Sequence, residues 1–325
     1  MKKIVSMFLL VMLVMAGCSS PMTKETSKEK QHSIGILLSD TGLGDGSFND
    51  SAFRGLERAR DELGIIFDYR EAPDGDFEGA LQELVDQDHE LVIGLGFSIQ
   101  DALEKVAEEN PDQKFLLIDG ISELDNITSI TFKEHEGSFL LGMVAAMKSK
   151  TGTIGFISGA DVPVIQRFEQ GYIQGAKYIN PSINIIKDTA NNFGDAGLGK
   201  TLAEKQMKQG ADFLYPAAGF TGVGAIQAAQ KAGILSGGVD SDQYFIAEKS
   251  VVTSMVKKID NAVFNITEEL MNEQKISQHA YELGLKEDGV GLAPIRVVSL
   301  SPEETKKLED AKNKIISGDI TVNMQ

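Results

Sequence analysis

Cysteine is almost absent: Cys18 is the only one in 325 residues, and there is no tryptophan. A lone cysteine excludes an internal disulfide framework and any metal site built from several thiolates. Histidine is scarce too. His32, His89, His135 and His279 are scattered, and His135-Glu136 lacks the second histidine that a zinc-binding helix needs. His89 and His135 read as surface or capping residues, and neither a metal nor a cofactor is expected. Basic residues are outnumbered, 31 Lys and Arg against 48 Asp and Glu, for a net charge of −17. Such a chain is repelled by nucleic-acid phosphates and anionic lipid heads, so nucleic acid is not an expected partner. No apolar run reaches the roughly 20 residues needed to span a bilayer.

What is present starts at the N-terminus. Lys2 and Lys3 precede an apolar run over residues 4–15, then Ala16-Gly17-Cys18-Ser19-Ser20. A short basic region, a short apolar region and small residues make a secretory signal over residues 1–17. Met15-Ala16-Gly17-Cys18 resembles the lipobox of bacterial lipoproteins, whose cysteine is acylated and becomes the mature N-terminus. Residues 18–32 are polar and charged and read as a lipid-anchored flexible tether. The expected location is the extracytoplasmic face of the cell membrane, held by the lipid on Cys18.

From residue 33 onward, short apolar runs alternate with amphipathic segments. Strands are expected at residues 34–38, 65–69, 91–95, 115–118 and 128–131, with helices at 49–63, 77–86 and 99–110 between them. A second series follows, with strands at 154–157, 183–186, 213–215, 238–239 and 251–255. Its helices are expected at 166–178, 198–209, 224–232 and 259–272, and a charged one at 301–316 opens on Ser-Pro-Glu-Glu. Phe139, Leu140, Met143, Val144 and Met147 recur at helical spacing and read as core. Apolar strands without period-2 alternation are covered on both faces, so the fold class is α/β with two doubly wound parallel-sheet lobes. Ligands of such sheets bind outside the carboxyl ends of the strands. There stand Asp40, Gly96-Phe97, Asp119-Gly120, Ala218-Gly219 and Asp240-Ser241-Asp242.

One motif points elsewhere. Gly194-Asp-Ala-Gly-Leu-Gly199-Lys200-Thr201 matches the phosphate-loop pattern G-x-x-x-x-G-K-[ST] letter for letter. A phosphate loop springs directly from a strand end, whereas residues 190–193 intervene here. Gly96-Phe97-Ser98-Ile99-Gln100 lacks the last glycine of a nucleophile elbow. With no general acid, base or metal site in view, the chain does not read as an enzyme.

The strand-end residues sit in a wider pattern. Asp40-Thr-Gly-Leu-Gly-Asp-Gly-Ser-Phe-Asn49, running into Ala52-Phe53-Arg54-Gly55-Leu56, resembles the signature of the basic membrane protein family. So do Gly94-Leu95-Gly96-Phe97, Thr131-Phe132-Lys133-Glu134 with Glu136-Gly137-Ser138-Phe139, and Pro163-Val164-Ile165 with Arg167-Phe168. Ala217-Ala218-Gly219 with Thr221-Gly222, Gly238-Val-Asp240-Ser-Asp242-Gln243 and Thr253-Ser-Met-Val-Lys257-Lys258 complete it. That family comprises bacterial lipoproteins that bind purine nucleosides for ABC importers.

The resemblance implies lobes of the periplasmic-binding-protein type I kind, with the chain crossing between them three times. The first lobe is then residues 33–132 and about 257–276, the second 133–256 and about 277–325. It also implies a site: Phe53 and Phe193 sandwich the base, Asp40, Asn49 and Asp119 meet its edge, and Gly219, Asp240 and Lys257 lie near the ribose. Read alone, Phe53 fits a core position as well, while Phe193 stands in a polar loop. Asp45 and Asp242 are secondary candidates. The implied partners are adenosine, guanosine or inosine and an ABC permease, with the chain a monomer. A lipoprotein that senses its ligand without feeding a transporter would need the same pocket.

Overall fold

The structure, a computed structural model, describes residues 32–324. The signal segment, Cys18 and nearly all of the expected tether lie outside the described residues. In the first lobe, β1 (Ser33–Leu37), α1 (Phe48–Leu63), β2 (Ile66–Arg70), α2 (Phe77–Val85), β3 (Leu91–Leu95), α3 (Gln100–Glu109), β4 (Phe115–Ile118) and β5 (Ile127–Phe132) alternate along the chain. The second lobe takes α4 (Glu134–Lys148), β6 (Thr153–Ser158), α5 (Pro163–Ile179), β7 (Asn184–Thr189) and α6 (Ala196–Lys208). It continues with β8 (Phe213–Ala217), α7 (Gly219–Ala232), β9 (Leu235–Asp240) and β10 (Val251–Lys257). The chain ends through α8 (Ile259–Glu273), β11 (Ala280–Leu283), β12 (Val290–Leu292) and α9 (Pro302–Ser317).

The two sheets have matching strand orders, β11-β5-β4-β3-β1-β2 and β12-β10-β9-β8-β6-β7. Neighbours pair parallel throughout, except that β12 runs antiparallel to β10. Central strands carry apolar residues at successive positions because helices cover both faces, and β3 and β4 are buried along their whole length. The edge strands β2 and β7 are half-exposed. This is the periplasmic-binding-protein type I-like architecture.

The chain passes between lobes at residues 132–134, 257–259 and 283–290. After β5 it enters α4, which packs on α5, and after β10 it enters α8, which packs back on α1. Both pairings rely on missing side chains. A Cβ on Gly175 would stand 1.8 Å from the Phe139 carbonyl oxygen, and one on Gly55 2.6 Å from that of Asp260.

Some expectations change. Residues 280–283 pair with β5, so the first lobe extends past the expected boundary at 276. β7 runs on to Thr189, three residues beyond the expected strand. His89 is buried, not a surface residue: its ring packs over Gly35 and meets the Ser33 hydroxyl at 2.9 Å. Ser301 and Glu304 form the reciprocal capping box at the start of α9.

Candidate ligand-binding cleft

The carboxyl ends of both sheets face one cleft with about 640 Å³ of empty space, part of it open to solvent. Its walls are apolar, with Phe48 and Phe97 from the first lobe and Val164, Ile165, Phe168, Phe193 and Val239 from the second. Its polar groups are Ser39, Asp40, Thr41, Asp45, Ser98, Asp119, Asp240 and Lys257. Two strand ends are contorted to deliver theirs. Asp119 after β4 and Asp240 at the end of β9 both adopt left-handed backbone, φ 67° and 61°. Non-glycine residues adopt this region at a cost of about 1–3 kcal/mol, and such strain concentrates at functional sites.

Lys257 ends β10 and is wholly buried, inside a cage of charge. Its Nζ donates to Asp119 Oδ2 at 2.5 Å and lies 2.9 Å from Glu134 Oε1. Arg167 Nε donates to the other oxygen of Glu134 at 2.6 Å. The chain Asp119–Lys257–Glu134–Arg167 thus joins the first lobe, two of the crossings and α5. The rings of Phe132, Phe48 and Phe168 stand 5.0, 5.2 and 5.8 Å from the ammonium. Burial works to lower the Lys257 pKa, but Asp119, Glu134 and Asp240 outweigh it and hold the ammonium above an ordinary lysine. Burial likewise works to raise Glu134, and Lys257 and Arg167 keep it below its usual value.

Asp240 has no such direct partner. Burial pushes its carboxyl up to about 7, against the pull of Lys257 and of a hydrogen bond from Ser47. Ser47 Oγ donates to Asp240 Oδ2 at 2.8 Å, across from the first lobe. Asp119 Oδ1 and Asp240 Oδ1 are both buried without a hydrogen-bond partner. Buried acceptors normally find one, so these two oxygens are where a ligand's donors belong.

Of the residues expected from sequence, Asp40, Asp119, Phe193, Gly219, Asp240 and Lys257 line the cleft. Phe193 fits because Gly159 has no side chain: a Cβ there would stand 2.1 Å from the ring. Asn49 lies behind the wall and organises the loop over residues 38–47. Its Oδ1 accepts from Ser39 N at 2.9 Å, and its Nδ2 donates to Thr41 Oγ1 at 2.9 Å and to Asp45 Oδ2 at 3.1 Å.

Phe53 is the clear departure. It packs edge-on against Phe67 and Tyr69, at 5.3 and 5.5 Å, away from the cleft. Phe48, five residues earlier, lines the cleft instead. At about 100° per residue the two point roughly 140° apart, so only one of them can face the ligand. Glu134, Arg167 and Ser47 join the site through tertiary contacts that no local sequence signal marks.

The phosphate-loop match dissolves in the fold. Its lysine lies on the surface of α6, 3.9 Å from Glu204, and outside the cleft. Thr201 Oγ1 donates to the Gly197 carbonyl. Gly199 is there for packing: a Cβ would stand 1.8 Å from the Thr221 carbonyl oxygen on α7. Among the described residues there is no group of three or more metal-binding side chains, and no helix is long and apolar enough to cross a membrane.

Residues 33–325 match the family described as ABC transporter substrate-binding protein, PnrA-like. Basic membrane protein D of Borreliella burgdorferi is 33% identical over 294 residues, covering 88% of this chain and 84% of its own. Basic membrane protein A of that species is 32% identical over 336 residues, covering 99% and 96%. An uncharacterized lipoprotein of Pyrococcus abyssi is 33% identical over 324 residues, covering 94% and 80%. Among solved structures, ABC transporter solute-binding proteins from Aeropyrum pernix superpose with a TM-score of 0.83 at 29% identity, over 90% of this chain and 94% of theirs. A LacI-family regulator from Enterococcus faecium, solved with bound ribose, shares the fold alone, with a TM-score of 0.63 at 15% identity over 83% of this chain and all of its own. With paired sheets, a cleft at their carboxyl ends and a match along the whole two-lobed body, the chain belongs to the PnrA-like family of ABC transporter substrate-binding proteins.

Proposed function

We infer that the cleft captures a purine nucleoside and presents it to an ABC permease, with the protein tethered to the membrane through a lipid on Cys18. The observation that carries this is the combination of aromatic walls with two unpartnered carboxylate oxygens and a cation already neutralised. Flat apolar faces at Phe48 and Phe193 suit a base, and base–aromatic stacking is worth about 1–3 kcal/mol. The oxygens of Asp119 and Asp240 suit hydroxyl and N–H donors.

Charge argues for a nucleoside over a nucleotide. Lys257 is the only cation among the described residues lining the cleft, and two carboxylates already hold it. A phosphate would meet Asp119 and Asp240 with no free positive charge to offset them. A sensing lipoprotein would use the same pocket, and loss of nucleoside uptake on deleting the gene separates transport from sensing.

Calorimetry on the full chain with adenosine, guanosine, inosine, AMP, ribose and a branched-chain amino acid tests the assignment. At least one nucleoside should bind tightly and AMP at least tenfold more weakly. Tight binding of the amino acid or of ribose, with no response to any nucleoside, overturns it. Detergent-phase partitioning of Cys18→Ala tests the anchor: the variant should leave the detergent phase that the wild type enters.

A further inference from the structure

Ser47 is fully buried, yet it does not line the cleft. It sits at the end of the 38–47 loop of the first lobe, directly before α1, and its hydroxyl reaches across to the second lobe. The loop is fixed from within. Asp45 accepts from Ser47 N at 2.9 Å and from Asn49 N at 2.8 Å, while Asp50 accepts from the amides of Gly44 and Gly46 at 2.8 and 2.9 Å.

The receiving side is fixed as well. Gln243 Oε1 accepts from Val239 N at 3.0 Å, beside the left-handed turn at Asp240, and Gln243 Nε2 donates to the Gly46 carbonyl at 3.3 Å. Ser241 Oγ donates to the Ser47 carbonyl at 3.3 Å, and Arg54 donates to Ser241 Oγ at 2.8 Å. Five side chains, Ser47 and Arg54 from the first lobe and Asp240, Ser241 and Gln243 from the second, therefore meet at one interlobe joint, and the Asp240 carboxylate has one oxygen engaged and the other without a partner.

We propose that Ser47 is the positioning residue of Asp240 and the latch between the lobes: its hydroxyl holds one carboxylate oxygen so that the other is aimed at bound ligand. The proposal rests on the reading that solute binds in this cleft, not on which solute it is. Donors on Oδ1 and Oδ2 both favour the ionised carboxyl, and the Ser47 bond fixes its orientation, so ligand capture and lobe contact reinforce each other. Opening the lobes breaks the Ser47 bond, so the latch acts on release more than on capture. The bond is charge-assisted when the carboxyl is ionised and weaker when it is protonated. Lys257, Asp119, Asp45 and Tyr215 also bear on the Asp240 carboxyl or feel it. All four remain in Ser47→Ala, so the difference between variants isolates the hydroxyl.

The test is a double-mutant cycle on the detergent-solubilised full chain: wild type, Ser47→Ala, Asp240→Asn and the double variant. Each is titrated and followed by stopped flow with adenosine, guanosine, inosine and ribose at pH 8 and pH 5.5. Ser47→Ala should weaken the bound probe about tenfold at pH 8 through faster dissociation, with association unchanged. At pH 5.5, or on the Asp240→Asn background, its effect should shrink to about threefold or less, since the acceptor is then neutral. A merely structural serine would produce a pH-independent loss that multiplies with Asp240→Asn. That result, or an unchanged dissociation rate, overturns the latch. If ribose binds and no nucleoside does, the nucleoside reading fails while the same cycle with ribose still judges the latch; if wild type binds none of the four, both fall.

Discussion

The two lobes repeat one strand order, so β4 of the first corresponds to β9 of the second, and each delivers a left-handed aspartate to the cleft. The equivalent carboxylates live differently. Asp119 shares a buried ammonium with Glu134, and Arg167 completes the charge balance. Asp240 is held by a serine hydroxyl from the other lobe and keeps a pKa of about 7. Repeating a backbone position does not repeat its electrostatics, because the partner comes from the crossings and loops where the lobes differ. Burial pushes both carboxyls above the ordinary aspartate range, but Asp119 has an ammonium against it and Asp240 only a hydroxyl.

The largest test of that contrast removes the compensation. Lys257→Met leaves Asp119 and Glu134 buried with Arg167 alone to offset them. Breaking a buried pair by deleting one partner costs about 3–5 kcal/mol, and chemical denaturation of the ligand-free protein should show a loss of that size. Asp240 offers no comparable liability at low pH. A loss below about 1 kcal/mol for Lys257→Met would mean that water reaches the cluster and that the two walls are alike.

Asp240 should reveal itself through pH. The Asp240 pKa is raised from the ordinary 3.8 to about 7, so the folded state favours the protonated form. The stabilisation this gives is complete below pH 3.8 and is lost as pH rises through about 7. Asp240→Asn loses this part of the dependence, while Asp119, also raised by burial, contributes to both proteins. Between pH 5 and pH 8 it should gain about 2 kcal/mol of stability on the wild type without ligand, read from parallel urea titrations. Curves that keep a constant separation would place the carboxyl in contact with solvent.

A third comparison sets two phenylalanines of unlike fate against each other. Phe193→Ala should weaken the proposed nucleoside binding by about 1–3 kcal/mol, with little change in melting temperature, because it removes a cleft wall. Phe53→Ala should do the reverse, lowering stability through the lost contacts with Phe67 and Tyr69 while leaving affinity within about twofold. Equal losses of affinity in both variants would contradict the positions of the two rings.

Those rings also show how far the sequence could be read. The buried central strands were legible because parallel strands covered on both faces leave continuous apolar runs, and Asp119 and Asp240 stand directly at their ends. β11 and β12, four and three residues long at sheet edges, carry no such run and were invisible. Phe48 and Phe53 lie on one helix, and only the rotation of α1 against its sheet decides which faces inward. Nothing local in the sequence marks Glu134 and Arg167 as partners of a buried lysine. Their burial follows from α4 leaving one lobe to pack on α5 of the other, a tertiary event with no local signature.

The smallest expected effect concerns the phosphate-loop match, which lies at the start of α6 in the second lobe; its topological counterpart, the start of α2, carries no such pattern. Its glycines and lysine separate cleanly by role. Gly199 and Gly224 let α6 and α7 approach: a Cβ on Gly224 would stand 1.8 Å from the Ala196 carbonyl oxygen. Gly199→Ala should therefore destabilise by about 1–3 kcal/mol through overpacking, despite the better helix propensity of alanine. Lys200 is exposed and 3.9 Å from Glu204, an arrangement worth a few tenths of a kcal/mol at most. Lys200→Ala should leave the melting temperature unchanged and the affinity for the cleft's ligand within about twofold. Magnesium-dependent ATP binding that disappears with Lys200 would give this lobe a second ligand and make the letter match functional. In its absence, the motif is the imprint of two helices that must cross closely, with a surface lysine that falls at the right spacing.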